Sequence, residues 1–301
     1  MSQACSVSTR KPFGVRRVCQ EWGIARSTFY ARRYSRAQGP ETASKPGPRP
    51  EVDDATVVAA IRRAIDESPF TGEGHRKVVA RLRTIGVQAG RHRVLRLMRE
   101  QGLLAPYRAT RDLGPRVHDG VIVTEAPDVM WATDATTTWL PDEGQVTVFA
   151  VVDHFNSECL GLHAARPGTR FEALEPVRQA VRRVLGGFEQ GVAATLGLAL
   201  RHDHGSQYVS AAFQQEIAFL GMESSPAFVY APEGNGVIER FFRTLKEQLL
   251  WCHHCTTLAE LNTALQQWRE LYNEHWLVER HGHRSPSQVR RDHEQPAAIA
   301  A

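Results

Sequence analysis

Three strand-like apolar runs follow one another in the middle of the chain: Val129–Trp139, Val146–Val152 and Leu160–His163. Beyond them the pattern alternates. Glu172–Leu185 predicts a helix, with Pro176 compatible only with its first turn. Leu196–His202 predicts a strand, and Ala211–Leu220 a helix closed by Gly221. Ser224–Asn235, carrying Pro226, Pro232 and Gly234, predicts a loop, and Val237–Trp251 and Leu258–His275 predict long helices. Strands in succession followed by alternating helix and strand specify a mixed sheet with helices on its faces, an α/β fold.

The residues ahead of this half predict helices only. Val15, Val18, Cys19 and Trp22 recur at helical spacing, Gly23 interrupts, and Phe29 and Tyr30 resume the period. Helix, glycine turn and basic helix outline a helix-turn-helix over residues 1–34, whose second helix offers Arg26 and Arg32 to DNA. Residues 35–50 are rich in Pro, Gly and Ser and predict a semi-stiff linker. Residues 51–110 predict three amphipathic helices, with Gly86–Gly90 as the turn of a second helix-turn-helix. Arg76, Lys77, Arg91, Arg93 and Arg96 crowd the last two and are candidates for phosphate contact. A solvated helical face is the alternative for these cations.

Charge follows the same division. Residues 1–110 hold 21 Lys and Arg against 9 Asp and Glu, whereas residues 111–301 hold 16 against 24. A basic first third suits a polyanion, and an acidic remainder repels one unless cations neutralise it. With 301 residues, 42% of them hydrophobic, the chain can bury a sizeable core and is not wholly disordered. No apolar run approaches the roughly 20 residues of a membrane span. The N-terminus lacks the apolar segment of a secretory signal, and the odd number of cysteines predicts reduced thiols.

Three carboxylates stand out. Asp134 interrupts an apolar strand pattern, where an unpartnered charge is costly unless it serves a site. Asp203 follows a short strand, at the end where α/β sheets place ligands. Glu239 opens a helix, with Arg243 and Lys246 on its stripe one and two turns along. An exposed Glu239–Arg243 pair is the bland alternative for that residue alone. Together the three can hold two hard cations about 4 Å apart, one activating an attacking hydroxyl and one stabilising the leaving oxygen at phosphorus.

The runs WATDAT, HDHGSQY and NGVIERFFRTLK, with 35 residues between Asp203 and Glu239, resemble the Asp, Asp, Glu signature of retroviral-integrase-type recombinases. The nearest resemblance is to the downstream-frame catalytic protein of IS-three family insertion-sequence transposases. The stretches RTIGVQAGRHRVLRLMREQGLLA and LYNEHWLVERHGHRSPSQV extend it over roughly residues 14–290. It implies an RNase H-like catalytic domain over 126–290, a C-terminal tail over 291–301, and all-α helix-turn-helix modules ahead of them. It implies two Mg²⁺ ions, with Mn²⁺ able to substitute; Asp134 would bridge both, while Asp203 and Glu239 each complete one. Lys246 and Arg243 would contact DNA near the element's end. The implied activity is cleavage at the element's ends and transfer of the freed 3′-OH into other DNA. The implied partners are double-stranded DNA, further copies of the chain on that DNA, and an upstream-frame protein or fusion. The implied location is the bacterial cytoplasm, at the nucleoid.

Two other functions fit the same residues: an RNase H-like nuclease that cuts without joining, and a helix-turn-helix DNA-binding protein with an inactive catalytic half. Other candidate sites carry less. Cys252-His253-His254-Cys255 supplies only half a tetrahedral zinc set. Asp153 ends the second strand, His202 and His204 flank Asp203, Glu233 is a fallback third carboxylate, and Trp131 reads as core.

Overall fold

The computed structural model describes residues 4–37, 52–106, 122–227 and 235–295, so Glu233, most of the 35–50 linker and the end of the C-terminal tail lie outside the described residues. The chain divides into two units, Met1–Asp53 and Asp54–Ala301. In the first, helix α1 (Gly14–Glu21) and helix α2 (Arg26–Ala37) meet through a turn at Gly23, whose φ of 61° favours glycine. Cys19 is buried there, and Arg26 and Arg32 are exposed on α2.

The second unit begins with three helices, α3 (Asp54–Asp66), α4 (His75–Thr84) and α5 (Arg91–Glu100). Their apolar stripes enclose a small core of Val57, Ile61, Phe70, Val78, Leu82, Val94 and Met98. Gly86, at φ 79°, ends α4, and α5 starts after Gly90. That is the helix–turn–helix the glycines predict.

Five strands follow: β1 (Met130–Leu140), β2 (Gly144–Asp153), β3 (Cys159–Ala165), β4 (Ala199–His202) and β5 (Glu223–Pro226). Their order is β3-β2-β1-β4-β5. The first three form an antiparallel meander, and β4 and β5 run parallel to β1. Helix α6 (Arg170–Leu185) and helix α7 (Ala211–Phe219) cover one face, packing on Trp131, Phe149, Val151, Leu160 and Leu200. Helix α8 (Gly236–Leu245) and helix α9 (Leu258–His275) cover the other, over Ala132, Val148, Ala150 and Val152. Alternate residues of β1 therefore enter opposite cores. This topology is that of the RNase H-like α/β fold. No helix of the described residues is long and apolar enough to cross a membrane.

Three elements depart from the sequence expectation. Ser224 lies in a strand rather than a loop. Glu-Ser-Ser-Pro has no apolar period because β5 is a short edge strand, held to β4 by its backbone and ended by Pro226. Pro176 sits in the interior of α6 rather than in its first turn, because the helix starts at Arg170. Gly161 of β3 accommodates it: a Cβ there would lie 1.9 Å from the Pro176 carbonyl oxygen. The helical pattern through Trp251 contains a break in pitch, since α8 passes into a π-helical turn at Lys246–Leu250. A further helix, α10 (Pro286–Glu294), carries a capping box in which Ser285 and Gln288 satisfy each other's backbone N–H groups.

Arg290 of α10 closes the unit. Its guanidinium donates to Glu158 and Asp128, the latter at 2.6 Å, and lies 3.9 Å from Asp153. Asp153 is fully buried and accepts the backbone N–H groups of Asp128, Phe155 and Asn156. Burial pushes its carboxyl up to about 6, against those hydrogen bonds. Asp153 is thus engaged in tying the start of β1, the end of β2 and α10 together.

Candidate active site

Asp134 lies at the middle of β1, opposite Ala150 of β2. On its other side Ala132 pairs with Arg201 of β4 in parallel register, so Asp203, just past the end of β4, falls beside Asp134. The pleat sends Asp134 to the same face as Ala132, under α8. Glu239 lies in the first turn of α8. The sheet centre and one helix start thus bring three carboxylates, distant in sequence, into one electrostatic neighbourhood.

Asp134 shows this most clearly. Burial pushes its carboxyl up to about 6; the N–H of Ala135 opposes that at 2.8 Å, the charges of Asp203 and Glu239 raise it further, and Lys246 lowers it. Glu239 is more exposed, and desolvation raises its carboxyl as well. Asp203 accepts the N–H of Gly205 at 2.8 Å. His202 is buried directly behind it, with Nδ1 donating to the Asp203 carbonyl at 2.7 Å and Nε2 at 2.9 Å from the Ser224 hydroxyl. The imidazole stacks on Tyr208, which meets Phe213 edge-on. His202 is therefore a brace for the Asp203 backbone, and desolvation keeps its pKa below the usual value. The edge strand β5, unforeseen in the sequence, supplies Ser224 to this brace.

Among the described residues no three His, Cys, Asp or Glu side chains close on a single point as a cation site. The donor set is all oxygen, which suits hard divalent cations.

The candidate DNA contacts divide into several groups. The charge of Lys246 acts on the Asp134 carboxylate, and Arg243 is exposed and pairs with Glu247 at 3.1 Å. Arg93 and Arg96 both bind Asp54 at the start of α3, and Arg96 also pairs with Glu100. Arg76 pairs with Glu279, and Lys77 lies over the Trp276 ring, 2.9 Å from its centroid. Arg91 is exposed beside His92, and Arg26 and Arg32 are exposed on α2. Of the other candidates, His204 reaches the Ala227 carbonyl at 2.7 Å, Trp131 is buried, and the thiol of Cys252 donates to the Glu247 carbonyl. Sequence reasoning missed Arg290, Gln248 and Trp276, whose partners lie far along the chain.

Family models match three stretches: an HTH-like domain at residues 51–111 and an integrase core domain at 124–232 and again at 220–286. The chain is 28% identical to the transposase for insertion sequence element IS629 of Shigella sonnei, covering 93% of this chain and 92% of that protein. Over nearly its whole length the chain is thus similar to insertion-sequence transposases, and residues 124–286 match the integrase core domain. Transposase InsD of insertion element IS2 from Escherichia coli is 26% identical over 79% of both chains. Among solved structures, the catalytic core domain of BIV integrase aligns with a TM-score of 0.42 at 20% identity, covering 56% of this chain and 97% of that one. A chain of the simian T-cell lymphotropic virus intasome aligns with a TM-score of 0.47 at 18% identity, covering 83% and 78%. The chain carries an integrase core behind an HTH-like module, in the order the sequence motifs imply.

Proposed function

We propose that this transposase cleaves DNA at the ends of its insertion sequence and joins the freed 3′-OH to a second DNA, with Asp134, Asp203 and Glu239 holding two divalent cations. The observation that carries the reading is the Asp134 carboxylate. It is largely desolvated and crowded by two like charges, with Lys246 as the cation acting on it. Such an arrangement is costly alone and becomes favourable around bound cations. Asp134 would serve both ions, and Asp203 and Glu239 one each. Mg²⁺ suits these donors and Mn²⁺ can replace it; when bound, the pair would supply activation of the attacking oxygen and stabilisation of the leaving one. The protein's own part is positional. His202 and Gly205 fix Asp203, while Lys246 and Arg243 lie where a phosphate backbone would pass. The exposed arginines Arg26, Arg32 and Arg91 would add further contacts to duplex phosphates. The partners on this reading are double-stranded DNA and further copies of the chain assembled on it, with an upstream-frame protein or fusion supplying end binding. The cytoplasm, at the nucleoid, is the matching location.

The test is a strand-transfer assay with a labelled 3′-OH duplex in Mg²⁺. Joined product is the expected result. Cleavage without joining would instead favour a nuclease, and DNA binding without any Mg²⁺-dependent chemistry a binding protein. Asp203→Asn is expected to abolish joining while leaving DNA binding within about twofold of wild type, because phosphate contacts supply the affinity.

Gly205 offers a finer prediction. A Cβ there would stand 2.9 Å from Asp203 Oδ1 and 2.6 Å from Gln207 Nε2. The glutamine amide can swing away, but the carboxylate is displaced. Gly205→Ala is therefore expected to lower the joining rate about tenfold or more, with a urea midpoint close to wild type. A rate equal to wild type would show that the Asp203 position is not critical.

A further inference from the structure

The basic helical module is fastened to the helix that carries Glu239, and it is fastened twice. The first attachment is an amide pairing. The Thr71 N–H donates to Gln248 Oε1 at 3.0 Å, and Gln248 Nε2 donates back to the Thr71 carbonyl at 3.0 Å. Gln248 belongs to the π-helical turn that continues α8. The second is a line of rings. Phe70 meets Trp276 edge-on at 5.0 Å, Trp276 stacks on Tyr272 at 6.0 Å, and Tyr272 meets Phe241 of α8 edge-on at 5.2 Å. Phe241 is two residues from Glu239.

Cations of α4 lock this joint. Lys77 covers the Trp276 ring and lies 3.8 Å from Glu73. Glu73, almost wholly buried, also binds Arg81, which reaches the His275 carbonyl. Arg76 pairs with Glu279 outside this cluster. A cation held over an indole and beside a buried carboxylate is a strong, directional contact. The arginines of α5 are disposed differently. Arg93 and Arg96 turn back to α3 through Asp54, and Arg91 and Arg99 are exposed.

We infer that the Gln248 pairing and the Phe70–Trp276–Lys77 joint are positioning elements that set the distance between the DNA held by α5 and the carboxylate site, and so select which phosphodiester is cut. Arg76 and Lys77 are then docking residues rather than DNA readers, and DNA contact falls to the exposed side of α5. The inference rests on the DNA-cutting function proposed above. A rigid link between a holding surface and a reacting site is what converts binding at one place into reaction at a fixed offset.

The test uses the full chain and duplexes spanning the genomic junctions on either side of its coding region. Gln248→Ala, Lys77→Met and Trp276→Ala are compared with wild type. Gln248→Ala removes only the amide pairing and guards against a folding failure of Trp276→Ala. Three readouts are taken: duplex affinity in EDTA, amide hydrogen exchange of α4 without DNA or metal, and nick positions at nucleotide resolution in Mg²⁺. The expected result is duplex affinity within about twofold, α4 exchange faster by about tenfold or more, and nicks spread over neighbouring phosphodiesters where wild type cuts one. Variants that cut the wild-type bond alone, at any rate, overturn the positioning role and leave the transposase chemistry standing. A wild type that binds the duplexes but neither cuts nor joins them overturns the proposed function, and the inference with it.

Discussion

Replacing Asp134 with Asn is expected to make the metal-free protein more stable at neutral pH and to remove its Mg²⁺-dependent chemistry. The carboxyl is raised from 3.8 to about 6, chiefly by burial. A group whose pKa is higher folded than unfolded favours the fold while protonated, and that contribution is lost as pH rises through the folded value. For Asp134 the loss falls between about pH 4 and pH 6 and amounts to roughly 2–3 kcal/mol. The substituted amide carries no charge, so urea unfolding in EDTA should show the variant exceeding wild type by about 2 kcal/mol at pH 7.5, with the difference shrinking towards pH 4. Asp153 titrates near the same pH but is common to both proteins, so it drops out of the comparison. In Mg²⁺ the order reverses, because wild type gains binding energy that the variant cannot, and strand transfer by the variant should fall about a thousandfold or more. A variant less stable than wild type in EDTA, or one that still joins DNA, would refute this account of Asp134.

The second large effect is at Arg290. Its guanidinium serves four carboxylates, Asp128, Asp153, Glu158 and Glu294, of which Asp153 and Glu158 are nearly inaccessible to solvent. Removing the cation while leaving the anions is the costly way to break a buried network. Arg290→Met, which preserves much of the side-chain volume, is expected to lower unfolding stability by about 3–5 kcal/mol at pH 7. The loss should diminish in acid as the carboxylates protonate. The neighbouring Arg291 pairs with Glu274 at the surface, both groups about half exposed. Arg291→Met should therefore change stability by no more than about 0.5 kcal/mol. Equal losses for the two variants, read from urea midpoints, would contradict the assignment of Arg290 as the closing residue.

How much of this was legible in the residues varies with the physics involved. Periodicity carried the helices and the inner strands well, since β1, β2 and β3 are apolar over most of their length and α9 has both a capping box and a clear stripe. It carried nothing for β5, whose pairing depends on backbone groups alone. Asp134 and Asp203 stood out because a charge inside an apolar strand, or directly after one, has few structural excuses, whereas Glu239, in the first turn of a helix, stood out only through the motif resemblance. Their arrangement follows from the parallel register of β1 and β4, a long-range fact without local trace. The arginines of the helical module were legible as cations but not by partner. Whether an Arg faces phosphate or a distant Glu depends on contacts such as Arg76 with Glu279, 203 positions apart.

The π-helical turn after α8 has one further consequence. A wide turn accommodates an additional residue per revolution, so side chains beyond it lag by roughly 100° relative to an uninterrupted helix. The helical face that bears Glu239 and Arg243 is thereby uncoupled from the face that bears Gln248, and a single rod addresses two unrelated surfaces. Excising one residue from Lys246–Leu250 would restore regular pitch and twist the far end away from its partner, leaving the near end where it was.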